Sequence, residues 1–145
     1  MRTVLLLLLA LALALAQPPS FARYAQQLSR ATWDRTIAQY SLVLVEFYTP
    51  SCPHCVAFAP AYEEAARRLK DHKQLLVATV DGNADPGLAS DYKVEGFPTV
   101  LLLRKGEGGV FTDEPQVYKG ERTAEALLSF LEEEALRPPA PPRAW

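Results

Sequence analysis

Several residue types are scarce in this chain, and each scarcity excludes a class of protein. The 145 residues include two cysteines, two histidines and one asparagine. One cysteine pair is too little for a small scaffold held together by disulfides. A structural zinc site needs four well-spaced ligands, which a lone cysteine pair and two histidines do not offer, so we expect no bound metal. Asn83 precedes Ala-Asp, and the chain therefore has no N-glycosylation sequon.

The chain also lacks a strongly charged segment and, past its beginning, a long apolar one. The formal net charge is −2 at pH 7, and no basic run or basic-aromatic stripe indicates nucleic acid or anionic lipid as a partner. The one long apolar run, residues 4–16, follows Arg2 and ends in the small-x-small pattern Ala-Leu-Ala. It is shorter than the roughly 20 residues of a spanning helix. We expect a signal peptide over residues 1–16, with an uncleaved anchor as the alternative, and no stable membrane insertion after cleavage.

Removal of this leader would leave a chain sized for one domain. The mature chain would have 145 − 16 = 129 residues, a length that suits a single hydrophobic core. We expect a linker over residues 17–24, a folded domain over 25–136 and an extended proline-rich tail over 137–145.

Hydrophobic patterns divide the domain into strands and helices. Branched and aromatic residues without alternation predict a buried central strand over 42–48. Thr32 or Asp34 is a candidate N-cap of an early helix, and Thr123 of the last one. The predicted elements are a strand within 24–29, a helix over 31–40, the strand 42–48, a helix over 53–70, a strand over 74–81, a helix over 86–92, strands over 99–104 and 116–119, and a helix over 123–136. Their alternation predicts an α/β fold whose central mixed sheet is flanked by helices.

Both cysteines belong to one motif, Cys52-Pro53-His54-Cys55, directly after the central strand. Thiols at this spacing can close a small disulfide and open it again. The N-terminus of the following helix favours a thiolate, so Cys52 is the expected attacking cysteine and Cys55 the more buried resolving thiol. A protonated His54 would stabilise the thiolate and make the disulfide more oxidising, and Pro53 would stiffen the loop. The alternatives are an inert structural disulfide and a solvated histidine.

Glu46 is a charged residue inside the apolar central strand. Burial of a carboxylate costs on the order of several kcal/mol unless the group is paired or protonated. We therefore predict a functional acid whose pKa is raised by desolvation. The alternative is an edge position that faces solvent.

With its flanking segments, the motif resembles the thioredoxin fold, and within that fold the catalytic (a-type) domains of protein disulfide isomerases. The resemblance covers most of residues 25–135. The matching segments are Val45-Glu46-Phe47-Tyr48-Thr49-Pro50, the Cys52 to Cys55 motif, Ala59-Pro60-Ala61-Tyr62-Glu63, Val80-Asp81, Gly96-Phe97-Pro98-Thr99 and Tyr118-Lys119-Gly120-Glu121-Arg122. It implies a thioredoxin-like fold of three layers, α/β/α.

The resemblance also implies roles for the acid, the thiols and an arginine. Cys52 is expected to form a mixed disulfide with a client, and Glu46 to relay a proton to or from Cys55. Arg122 is expected to swing toward Cys55 and stabilise its thiolate. The alternative for Arg122 is an ordinary surface arginine.

A substrate groove is implied beside the motif. Pro98 is expected to be cis and to face Cys52, which would offer the backbone of Phe97 to an extended client. Tyr48 and Ser51 are expected to line the same groove. The alternative for Pro98 is a trans proline that opens a strand.

Four positions depart from the usual family pattern. Ser51 stands in place of a tryptophan, Pro53 in place of a glycine, and Val56 in place of a lysine. Thr79 stands where the family often has a lysine near the buried acid. Pro53 favours a redox potential at the oxidising end of the family, and Val56 partly offsets this.

We therefore expect a secretory-pathway thiol–disulfide oxidoreductase that forms, reduces or reshuffles disulfides in unfolded or cysteine-containing client proteins. It would need no bound cofactor and would be recycled by a thiol oxidase or by glutathione. The last residues carry no Lys-Asp-Glu-Leu-type retrieval signal, so the endoplasmic reticulum lumen and secretion are both open. The alternative function is a non-catalytic peptide-binding or chaperone module on the same fold.

Overall fold

A computed structural model describes residues 1–15, 20–106, 108–111 and 114–138. The helices are α1 (Arg2–Leu15), α2 (Arg30–Ile37), α3 (Pro53–Leu69), α4 (Pro86–Asp91) and α5 (Ala124–Leu136), and the strands are β1 (Gln26–Leu28), β2 (Leu42–Tyr48), β3 (Leu75–Asp81), β4 (Thr99–Arg104) and β5 (Gln116–Val117). In the part of the chain so described, no helix is long and apolar enough to span a membrane.

The strands form one mixed sheet in the order β1-β3-β2-β4-β5. Strands β1, β3 and β2 pair in parallel. Strand β4 runs antiparallel to β2, and β5 antiparallel to β4. The predicted mixed α/β fold is confirmed.

Every residue of β2 is buried, because apolar side chains cover both faces of the sheet. On one face, Leu44 and Leu102 pack with residues of α3 and α5. On the other face, Val45 and Phe47 pack with residues of α2 and α4. Alternation along β2 therefore points the side chain of Glu46 to the α3/α5 face of the sheet.

The predicted boundaries of helices and strands agree best with the structure at the buried strands. Strands β2 and β4 have the predicted bounds. Helix α2 differs, because its N-cap is Ser29 rather than Thr32 or Asp34. The backbone N–H of Ser29 donates to the hydroxyl of Thr32 at 3.1 Å, so Thr32 lies in the first turn and completes the cap from within the helix.

The segment before β1 packs onto the domain, although residues 17–24 were predicted to be a linker. The ring of Phe21 stacks on that of Tyr48 with centroids 4.2 Å apart and an interplanar angle of 8°. The backbone N–H of Tyr24 donates to Glu63 at 2.6 Å. The folded unit therefore includes at least residue 21. Residues 16–19 and 139–145, within the predicted leader, linker and tail, lie outside the described residues.

Candidate active site

The cysteine motif lies where β2 leads into α3. Cys52 is the N-cap of α3, and its sulfur accepts a hydrogen bond from the backbone N–H of Cys55 at 3.4 Å. The N–H of Cys52 donates to the carbonyl of Thr49 at 3.2 Å, which closes the turn. Pro53 occupies the first helical position, where its missing N–H costs no intrahelical bond. The helix N-terminus is thereby aimed at the sulfur of Cys52.

The two thiols have opposite chemical character. Cys52 is partly exposed and Cys55 fully buried, and both are free in this structure. The pKa of Cys52 is lowered, first by a hydrogen bond from the thiol of Cys55 and then by the Cys55 backbone N–H. Burial, and then the hydrogen bond with Cys52, raise the pKa of Cys55 to about 12. The pair therefore offers one ready thiolate and one thiol that must lose its proton before it reacts.

The three residues around Cys52 that were assigned supporting roles are exposed. They are Ser51, Pro53 and His54. Among the causes that lower the pKa of Cys52, His54 acts through its backbone N–H. The imidazole itself lies in the exposed first turn of α3.

A backbone carbonyl from a distant loop reaches the outer thiol. The Phe97–Pro98 peptide bond is cis, as the family resemblance implies. The Cys52 thiol donates to the carbonyl oxygen of Phe97 across 3.6 Å between sulfur and oxygen. The ring of Phe97 covers Gly82 so closely that a Cβ at residue 82 would collide with it. The loop after β3 thus lies against the ring of Phe97, beside the thiol.

Glu46 is fully buried, with 0% of its surface exposed. Burial raises the pKa of Glu46 to about 8, and the charge of Glu63 acts in the same direction, while Arg122 lowers it. Its charge also raises the pKa of Cys55, so the two groups interact electrostatically. A carboxyl group with this pKa can both take and release a proton near neutral pH.

Arg122 lies at the surface beside the same site. With Phe58, Pro98 and Tyr118 it lines a cleft of about 200 Å³. Its positive charge lowers the pKa of both Cys52 and Glu46. Within the described residues it forms no ion pair. The structure therefore brings Arg122 to the cis-proline side of the thiols.

The sequence also matches a known protein family. The family model described as Thioredoxin matches residues 24–133. The chain belongs to the thioredoxin family. Curated relatives are protein disulfide-isomerases. Protein disulfide isomerase-like 2-1 of Oryza sativa subsp. japonica is 39% identical over 108 residues, or 74% of this chain and 28% of that protein. Protein disulfide-isomerase of Hordeum vulgare is 41% identical over 105 residues, or 70% of this chain and 20% of that protein.

A solved thioredoxin domain of similar length matches the fold. The first thioredoxin domain of mouse Protein disulfide-isomerase A4 superimposes with a TM-score of 0.69 at 33% identity and covers 87% of this chain and 86% of that domain. The chain spans about a quarter of the length of the curated relatives.

Tyr48 does not line an open groove of this thioredoxin domain, contrary to the sequence-based expectation. Its side chain is 4% exposed. Phe21 stacks on its ring, and Gln27 donates to its hydroxyl at 3.1 Å. Burial raises the pKa of Tyr48 to about 12. A side chain so enclosed offers a client almost no surface, and we withdraw it from the candidate groove.

Sequence reasoning missed one acid that acts on the site. Glu63 of α3 is 9% exposed, and its oxygens accept from the N–H groups of Tyr24 and Ala25. Its charge is the second largest cause of the raised pKa of Glu46. Glu63 follows Ala59 by four residues, on the buried face of the helix. This four-residue spacing is the feature of the sequence that could have identified Glu63 as a buried acid.

Proposed function

We propose that this thioredoxin domain is a thiol–disulfide oxidoreductase of the protein disulfide isomerase type. The observation that carries the proposal is the opposite character of its two thiols. Cys52 is accessible, has a lowered pKa and caps a helix N-terminus, whereas Cys55 is buried with a pKa of about 12. This asymmetry suits a reaction in which one sulfur meets the client and the other completes the exchange.

Oxidation of a client would proceed in two exchanges. A client thiolate attacks the sulfur of Cys52 in the Cys52–Cys55 disulfide, so a mixed disulfide forms and Cys55 leaves with the electron pair. A second client thiolate then attacks the client sulfur of the mixed disulfide and releases Cys52 as a thiolate. The client dithiol becomes a disulfide while the enzyme disulfide becomes a dithiol. The same steps in reverse reduce a client.

Glu46 supplies the proton that these steps require. Cys55 must be protonated after it leaves and deprotonated before it attacks. With a pKa of about 8, Glu46 is mostly protonated at pH 7 and gives a proton to the departing thiolate. In the reverse direction its ionised form takes the proton of Cys55. Arg122 would stabilise the transient charge on that sulfur.

Clients, recycling partner and location belong to the same proposal. Clients are unfolded or cysteine-containing secretory proteins, and a thiol oxidase or glutathione restores the starting redox state. The compartment is the endoplasmic reticulum lumen or the extracellular space. Support comes from the names of the relatives and from helix α1, whose apolar run is preceded by Arg2 as in a signal peptide.

A glutathione redox titration of residues 17–145 tests the activity and its direction. Reduced and oxidised forms are separated after alkylation at each glutathione ratio. A potential between about −120 and −180 mV is expected, as for proteins that donate disulfides. A value near −270 mV, that of thioredoxin, would contradict the oxidising role.

A client assay separates catalysis from simple peptide binding. Reactivation of a reduced, denatured disulfide protein is followed with the parent domain and with the double variant Cys52→Ser/Cys55→Ser. The double variant should lose all catalysis. Equal reactivation by both proteins would instead favour the non-catalytic chaperone module.

A further inference from the structure

Three buried polar atoms near the thiols have no hydrogen-bond partner among the described residues. They are both carboxyl oxygens of Glu46 and the hydroxyl oxygen of Thr79. Both residues have 0% of their surface exposed. Buried polar groups are nearly always paired, and an unpaired one costs about 1–3 kcal/mol. Two buried residues that both carry unpaired polar atoms are therefore candidates for an interaction that forms during function.

The sheet places these groups on neighbouring strands and on the same face. Glu46 of β2 and Thr79 of β3 are register partners in a parallel pair. Leu44 and Val77, two residues before each of them, both pack in the core cluster with α3 and α5. Because side chains alternate along a strand, Glu46 and Thr79 both point to that face, the one that α3 covers.

We propose that Thr79 is a positioning residue of the redox site. Its hydroxyl hydrogen-bonds the ionised carboxylate of Glu46, directly or through one water, while Glu46 exchanges a proton with Cys55. The proposal rests on the proposed function and deepens it. A hydroxyl is a donor of the right kind, since a carboxylate only accepts. The bond stabilises the charged form and so moves the titration of Glu46 toward neutral pH.

Other groups also shift the pKa of Glu46, and the effect of Thr79 adds to theirs. Burial and the charges of Glu63 and Cys52 oppose ionisation of Glu46, and Arg122 favours it. Ionised Glu46 in turn raises the pKa of three neighbouring groups. These are Tyr48, Cys55 and Tyr62. Because Arg122 is exposed to solvent whereas Thr79 is fully buried, solvent and salt screen the interaction of Thr79 with Glu46 less than that of Arg122.

Thr79→Val tests the proposal, with Thr79→Ser as the matched control. Valine keeps the shape and removes the hydroxyl, whereas serine keeps the hydroxyl. The titration of Glu46 is followed by ¹³C NMR of its side-chain carboxyl in the reduced domain. We expect Thr79→Val to raise the midpoint by about 1 pH unit, and Thr79→Ser to leave it near the parent value. An unchanged midpoint in Thr79→Val would overturn the proposal.

A kinetic measurement distinguishes this failure from failure of the proposed function. The rate at which Cys55 resolves a mixed disulfide is measured against pH in the parent and in Thr79→Val. It is measured again in each of these proteins after the further change Glu46→Gln. The pH profile should move to higher pH in Thr79→Val, and the difference should vanish when Glu46 is absent. A parent that exchanges disulfides with a profile unchanged by Thr79→Val refutes the role of Thr79 alone. A parent that exchanges none refutes the function.

Discussion

The sulfur of Cys52 lies 3.6 Å from the carbonyl oxygen of Phe97, a residue 45 positions further along the chain. The ring of Phe97 lies so close to Gly82 that a Cβ at residue 82 would collide with it. A hydrogen bond across this distance in sequence depends on both loops keeping their places. A side chain at residue 82 would therefore displace the ring of the residue whose carbonyl accepts from Cys52.

Replacement of Gly82 by alanine should disturb this contact. The added Cβ would collide with the Phe97 ring, which must shift. We expect destabilisation by about 1–3 kcal/mol and slower reaction of Cys52 with a disulfide probe. Urea denaturation and stopped-flow kinetics measure the two effects.

Gly96→Ala is the matched control for that prediction. A Cβ at residue 96 would meet nothing within 4 Å. Its stability and thiol reactivity should stay close to those of the parent. Equal effects of Gly82→Ala and Gly96→Ala would show that the ring contact is not the cause.

Replacement of Cys55 by serine should trap clients on Cys52. Without the buried thiol, nothing within the motif displaces the client from the mixed disulfide. The Cys52 thiolate attacks a client disulfide and the second client sulfur leaves as a thiolate, so non-reducing electrophoresis with a disulfide-containing client should show a covalent adduct in Cys55→Ser. No adduct should form in Cys52→Ser. Adducts of similar yield in the two single variants would mean that Cys55 is as accessible as Cys52.

Glu46 should make the stability of the domain fall as pH rises. Its pKa is raised from the usual value of 4.5 to about 8, so between these values the unfolded chain loses a proton that the folded one retains. Stability is therefore highest below pH 4.5 with respect to this group and decreases until about pH 8. Glu46→Gln removes the dependence, and we expect it to be more stable than the parent at pH 8 by roughly 2–4 kcal/mol.

Denaturant titrations at pH 5 and pH 8 check this expectation. The gain in Glu46→Gln should be small at pH 5 and large at pH 8. A gain of the same size at both values would show that the carboxyl does not change protonation in that interval.

Glu134 should contribute strongly to stability, although it lies far along α5 from the motif. Its side chain is 3% exposed and forms ion pairs of 2.9 Å with Arg104 and 2.8 Å with Arg137. Arg104 is itself 17% exposed, so Glu134→Ala leaves a largely buried charge without its carboxylate. We expect a loss of about 3 kcal/mol in urea denaturation and no change in redox potential.

Glu64 provides the comparison for Glu134. It pairs with Arg67 at 2.7 Å, but both side chains are more than 40% exposed. Glu64→Ala should leave the denaturation midpoint nearly unchanged. If the two variants lost equal stability, burial of Glu134 would not be the reason for its contribution.

The site could be predicted from local signals where the chemistry itself is local. The Cys52 to Cys55 spacing, the strand before it and the lone acid in that strand are all visible within residues 42–55. The positions of strands β2 and β4 followed from unbroken apolar runs. Such features need no knowledge of the rest of the chain.

Features that depend on distant partners could not be predicted in the same way. Glu134 follows two other glutamates and looks like part of a solvated helix face, whereas in the fold its buried carboxylate pairs with Arg104 of β4 and with Arg137. Tyr48 was assigned to a groove because nothing in the sequence shows that Phe21 covers it. The cap of α2 was misplaced by three residues or more because both Ser29 and Thr32 suit that position.

The stacking of Phe21 on Tyr48 would bear on maturation under the proposal that residues 1–16 are a cleaved leader. Four residues, 17–20, separate the predicted cleavage point from Phe21. Fully extended, they reach at most about 14 Å. A peptidase that cuts after residue 16 would have to work almost against the surface of the folded domain. Under that proposal, the leader would be removed before Phe21 docks, so that processing would precede completion of the fold.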